Sequence, residues 1–186
     1  MYSRSFNYMY ILGSINYFSL EGLPWLLLAW FSLYMFRSLA TFIHEMGHLI
    51  PALLFTQGPI LINVGGEPYF KSKIGRCEFN VSINSPLAGY VSFNDQELTL
   101  LKKVSILLAG PVLSLLIVFI TTVIISRCAL FTWLEVLLVG FFCSNLICFL
   151  RSILPLNLRG NESFSKGVPS DSLQIINLLK SNNDRK

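Results

Sequence analysis

Apolar residues in this chain gather into long unbroken runs rather than recurring at amphipathic spacing. Three runs stand out: Leu23 to about Phe55, about Val104 to Ile125, and about Ala129 to Leu154. A hydrocarbon core about 30 Å thick needs roughly 20 apolar residues per helical crossing, so the pattern predicts three membrane-spanning helices. Between the first two, the segments ILINV, CEFNVSI and GYVSF are rich in β-branched and aromatic residues. Gly65-Gly66, Asn84-Ser85-Pro86 and Asn94-Asp95 separate them, which predicts a small β-hairpin or meander. The alternation through Glu78, Phe79, Asn80, Val81, Ser82 and Ile83 gives it one wet face and one face against the membrane domain. After the third run, Pro155 to Pro169 is a polar loop. Leu173, Ile176 and Leu179 then carry the spacing of a short amphipathic helix over Asp171 to Lys180.

The expected architecture is therefore an all-α membrane core of three helices with a small β-insertion. Its segments are an N-terminal interfacial piece (1–22), the first span (23–57), the β-insertion (58–98), the second and third spans (99–154), and a loop, short helix and tail (155–186). The N-terminal piece is aromatic-rich but interrupted by Asn7, Ser14 and Asn16. It lacks a clear small-residue cleavage site, so it reads as interfacial rather than as a removed signal peptide.

Composition agrees with this picture: of 186 residues, 53% are hydrophobic and only 13% charged, a membrane balance rather than that of a soluble core. The distribution of cations adds an orientation. Lys71, Lys73, Arg76, Lys102 and Lys103 lie between the first two spans, and Arg151, Arg159, Lys166, Lys180, Arg185 and Lys186 follow the third. The positive-inside rule then puts the β-insertion and C-terminus in the cytoplasm and the N-terminus outside a multi-pass cell-membrane protein. The net charge of +4 marks a membrane flank and gives no reason to expect a nucleic-acid partner. Cys77, Cys128, Cys143 and Cys148 show no CxxC spacing and are assigned no chemistry.

The chemistry is concentrated in His44-Glu45-Met46-Gly47-His48. On a helix, histidines four apart stack on one face, where both imidazoles reach a single ion, and Glu45 falls beside that face. That arrangement suits zinc-assisted hydrolysis with the carboxylate as general base. These are the only histidines in the chain, and ionisable residues inside a span cost about 2.5 to 3.5 kcal/mol each on insertion scales, which makes them functional candidates by default.

A catalytic zinc site takes three protein ligands, so the third must be a carboxylate or a cysteine. His44 lies about 20 residues, or roughly 30 Å of helix, into its span, so the ligand should come from the cytoplasmic ends of the spans or their loops. Asp171 is the first candidate, although with Gln174 it also resembles a capping box. Asp95 competes with it, and Asp184 is the remotest. Arg37, seven positions before His44, shares its helix face and could line a polar path or simply snorkel or pair internally. Glu135, near the outer end of the third span, reads as interfacial. Gly110-Pro111 reads as a close-packing or kink position in the second span.

In order along the chain, these residues resemble the site-2 protease family of intramembrane zinc metalloproteases. HEMGH looks like that family's zinc-binding helix, and Ser85-Pro86-Leu87-Ala88-Gly89-Tyr90-Val91 like its P-x-G-G-Y-V strand. Leu108-Ala109-Gly110-Pro111-Val112-Leu113-Ser114 is similar to its A-G-P-x-x-N motif, with Ser114 for asparagine. Asn145 to Pro155 is similar to its N-x6-N-L-x-P stretch, with Ser152 for the second asparagine. The family's third ligand is an aspartate in L-D-G or S-D-G, to which Ser170-Asp171-Ser172 is the nearest match. The resemblance implies zinc held by His44, His48 and Asp171, Glu45 as the catalytic residue, a three-helix core, and a β-region whose edge pairs with an unwound membrane-protein or peptide substrate. It implies no defined role for Asn145. A membrane binding or regulatory relative that no longer cleaves is the alternative, favoured slightly by Ser114, Ser152 and Ser172. A third possibility is an unrelated membrane zincin with Glu162 as ligand.

Overall fold

The computed structural model describes residues 22–66, 68–82, 88–158 and 168–184. The expected N-terminal interfacial segment lies outside these residues, as do Ser85 to Leu87 and Glu162. Three long helices form the core: α1 (Leu23–Phe55), α2 (Leu100–Arg127) and α3 (Thr132–Ile153), each long and apolar enough to cross a membrane. All three pack pairwise. Pro24 opens α1, where a missing N–H costs nothing. Glu135 falls in the first turn of α3, where a carboxylate meets the positive end of the helix dipole.

The bundle is polar within and apolar without. Ser32, Thr41, His44, Glu45, Ser114, Thr121, Ser144 and Asn145 are buried, while Leu27, Trp30, Phe31, Val112 and Phe119 are more than half exposed. Outward apolar side chains suit a lipid surround, where tails solvate leucine as well as a protein core does. Small residues bring the helices together. At Gly47 a Cβ would lie 2.6 Å from the Ala109 carbonyl oxygen and 2.8 Å from the Gly110 Cα, so α1 and α2 meet there backbone to backbone.

The insertion is a four-stranded sheet: β1 (Ile60–Val64), β2 (Phe70–Ile74), β3 (Cys77–Val81) and β4 (Gly89–Ser92), in the order β2-β3-β1-β4. The β2–β3 hairpin is antiparallel, but β3 runs parallel to β1, and β4 closes the other side antiparallel. The sheet is thus mixed and not a meander, and the FKSKI strand went unread in the sequence. Its register explains the pairing. Ile60, Ile62 and Val64 align with Cys77, Phe79 and Val81, keeping one continuous apolar face, which packs on Leu49 and Ala52 of α1 and Ile106 of α2.

After α3, a two-stranded ribbon of β5 (Asn157–Leu158) and β6 (Val168–Pro169) leads into α4 (Asp171–Asn183). The inward side of α4 differs from expectation. Ile176 and Leu179 are exposed, whereas Asp171, Gln174, Ile175 and Leu178, at i, i+3, i+4 and i+7, are partly buried. The anchoring of Asp171 described below sets that rotation, rather than the leucine stripe.

Candidate metal centre

Two helix ends and one crossing assemble the site. The fourfold spacing in α1 brings His44 and His48 to one face, and the Gly47 crossing presses that face against α2. Gly110 makes room there, since a Cβ on it would lie 2.3 Å from His48 Nε2. His48 donates its Nδ1–H to the Ile106 carbonyl at 2.8 Å, which fixes the tautomer and leaves Nε2 as the lone-pair nitrogen. His44 Nδ1 lies 2.9 Å from the Ser114 hydroxyl, so its Nε2 also points inward.

Asp171 completes the cluster from 127 positions further along the chain. Its Oδ2 lies 3.1 Å from His44 Nε2 and 3.4 Å from His48 Nε2, and the two nitrogens are 3.2 Å apart. Four ligands held tetrahedrally about 2.0 to 2.1 Å from zinc have edges of about 3.3 Å. The triangle therefore has the size of one face of a zinc coordination shell, and its three atoms carry lone pairs that converge. His44, His48 and Asp171 are together the one set of metal-capable side chains of this kind among the described residues.

The start of α4 explains how Asp171 comes to be there. Ser170, not Asp171, caps the helix, its hydroxyl accepting from Leu173 N–H. The same hydroxyl donates to the Leu154 carbonyl and accepts from Leu156 N–H, tying α4 to the end of α3. Gln174 donates to the Pro169 carbonyl and forms no capping box. The Asp171 carboxylate is thereby free to face the histidines, and Ser152 donates to its Oδ2 at 2.6 Å.

The competing carboxylates are elsewhere. Asp95 lines the same cavity but pairs with Lys103 at 2.7 Å, and Asp184 caps the far end of α4. Glu45 is 5% exposed beside the cluster, and β4 crosses directly over it: a Cβ at Gly89 would lie 2.4 Å from Glu45 Oε1. A cavity of about 530 Å³ opens here, lined by the cluster, by Gly89 to Phe93 and by Arg151.

Other singled-out residues sit apart from this chemistry. Asn145 is fully buried, with Nδ2 donating to the Phe141 carbonyl. Arg37 is half-buried in α1, one turn before Thr41. The four cysteines are free thiols, although Cys148 reaches the cavity wall. Ser114, Ser152 and Ser170 are the partners that sequence reading missed. The first two were visible only as departures from a motif that prefers asparagine, yet a hydroxyl serves at both positions.

The family model of peptidase family M50 matches residues 31–180, a stretch that contains the histidine pair, the sheet and Asp171. The chain belongs to peptidase family M50. No match was found among curated proteins or solved structures. Membership of M50 makes this a membrane protein of a zinc metallopeptidase family, and the donor set of two imidazoles and one carboxylate is one that zinc accepts. The M50 match and the resemblance read from the sequence therefore agree.

Proposed function

We propose that this chain is a zinc metalloendopeptidase that hydrolyses a peptide bond of a membrane-embedded or membrane-anchored protein, with His44, His48 and Asp171 as metal ligands and Glu45 as the catalytic residue. The observation that carries the reading is the triangle of ligand atoms at 3.1, 3.2 and 3.4 Å with a buried carboxylate beside it. Zinc at such a site supplies a Lewis acid that acidifies water and polarises the scissile carbonyl. Glu45 takes the proton of the attacking water and delivers it to the leaving amine. Ile106 and Ser114 hold the imidazoles with Nε2 inward, and Ser152 steadies the carboxylate between them.

Substrate enters by way of β4. That strand is the edge of the sheet nearest the cluster, and a locally unwound segment adding to it as a further strand would lay its carbonyls along the cavity. Unwinding is required because a helix keeps its carbonyls hydrogen-bonded. The lysines between the first two spans support a cytoplasmic side for the sheet and α4, with the N-terminus outside.

The non-cleaving relative loses ground on one observation: Ser114 and Ser152, two of the three departures that favoured it, each bond a proposed ligand. The deciding experiment measures zinc content and cleavage of a membrane-anchored reporter together. Glu45→Gln should keep near-stoichiometric zinc and lose cleavage, while His44→Ala and Asp171→Ala should lose both. Cleavage surviving in Glu45→Gln would reject the mechanism, and zinc-loaded wild type inert on every reporter tried would favour the non-cleaving reading.

A further inference from the structure

The apolar face of the sheet is wider than the helices beneath it. Across β1, β3 and β4 it packs on the end of α1 and the start of α2, but its register continues into β2, where Phe70 aligns with Val81 and Ile74 with Cys77. Those two side chains point the same way as the buried face, yet Phe70 is 62% and Ile74 67% exposed. They overhang the bundle. The β2–β3 turn is fastened at this height by Arg76, whose guanidinium donates to the Leu53 and Thr56 carbonyls at the end of α1. Leu54 and Leu101, at the adjoining helix ends, are 75% and 78% exposed.

Lys71 and Lys73 project from the opposite face of β2, and neither forms an ion pair among the described residues, although Lys73 aligns with Glu78 across the hairpin. Lys102 lies over the Phe55 ring where α1 ends. Apolar side chains directed toward the membrane core, with lysines just above them, form the composition of an interfacial anchor.

We propose that the β2 edge is a lipid-binding surface: Phe70 and Ile74 enter the boundary between headgroups and acyl chains, and Lys71 and Lys73 bind anionic headgroups. Three features favour a bilayer as occupant over a second copy of the chain. The overhanging face is continuous with the lipid-facing ends of α1 and α2. The charge is of the sign that anionic lipid complements. Paired lysines along an edge strand oppose the addition of another strand there. The consequence is a second support for the sheet, beside the Arg76 bonds to the end of α1. The inference rests on the bundle lying in a bilayer and is independent of any cleavage.

The test uses the full chain in vesicles of phosphatidylcholine with or without phosphatidylglycerol. The photo-crosslinker p-benzoylphenylalanine is introduced in turn at positions 70, 74 and 78, and at position 119 on the outer face of α2 as a control for insertion. Lipid adducts should be several-fold more abundant at 70 and 74 than at 78, and phosphatidylglycerol should raise them. Replacing Lys71 and Lys73 together by glutamine should remove that increase. Equal adducts at 70, 74 and 78 in protein that labels normally at 119 would overturn the proposal, as would an adduct of twice the chain's mass. Adducts indifferent to phosphatidylglycerol would overturn the role of the lysines.

Discussion

The two edges of the small sheet differ as much as any two regions of the molecule. At one edge, β4 begins with a glycine laid against the Glu45 carboxylate and lines the cavity of the metal cluster. At the other, β2 carries exposed aromatic, aliphatic and lysine side chains and touches no part of that cavity. Both belong to one hydrogen-bonded unit, and the strands between them are held by the same apolar face. Neighbours therefore assign roles to the edges: the one over the helix crossing gains chemistry, and the one beyond the helices does not. Substitutions near β4 should alter turnover strongly, and those on β2 hardly at all.

The strongest way to sharpen this contrast is Glu45→Gln, which should lower reporter cleavage by about 10² to 10⁴-fold, the usual worth of a positioned general base, with zinc content unchanged by metal analysis. Gly89→Ala should come next. Its methyl group would press on the carboxyl end of Glu45, and a displacement of about 1 Å can cost about 10²-fold in rate. Steady-state kinetics should record the loss in kcat, with zinc retained. Ser114→Ala and Ser152→Ala should each weaken zinc binding by about 10 to 100-fold in competition with a chelator, the common effect of removing a ligand's hydrogen-bond partner. Smallest is Ile74→Ser at the far edge. In detergent it should leave unfolding within about 0.5 kcal/mol of wild type and leave zinc content and kcat unchanged. A large loss of kcat there, or none in Gly89→Ala, would break the division between the edges.

Much of this was legible because its signals are local. The spans stand out as continuous apolar runs, and the first was delimited at Leu23 and Phe55, where the helix begins and ends. The pair His44 and His48 follows from helical spacing alone. Asp171 was the leading candidate for the third position, and it is the carboxylate that the fold brings to them. The parallel pairing of β1 with β3 was not legible, because strand order depends on which apolar face meets which, and β2 is too polar along FKSKI to announce itself as a strand. The capping role that competed with a ligand role for Asp171 falls to Ser170 instead; both residues suit an N-cap, and only the bonds of Ser170 to Leu154 and Leu156 separate them. The roles of Ser114 and Ser152 were hidden for a similar reason. A hydroxyl inside a helix carries no sequence mark of what it touches 70 residues away.

The distance along the chain between His44 and Asp171, 127 residues, bears on how the protein is made. Synthesis delivers the histidines first, then the sheet, then two more helices, and the aspartate only afterwards. A nascent chain that has already entered the bilayer holds two of the three proposed ligands, an incomplete donor set for a catalytic zinc site. On the proposed reading, the full donor set forms only once Ser170 docks on the end of α3. The order of the sequence thus makes the docking of α4 the last step in assembling the His44, His48 and Asp171 cluster.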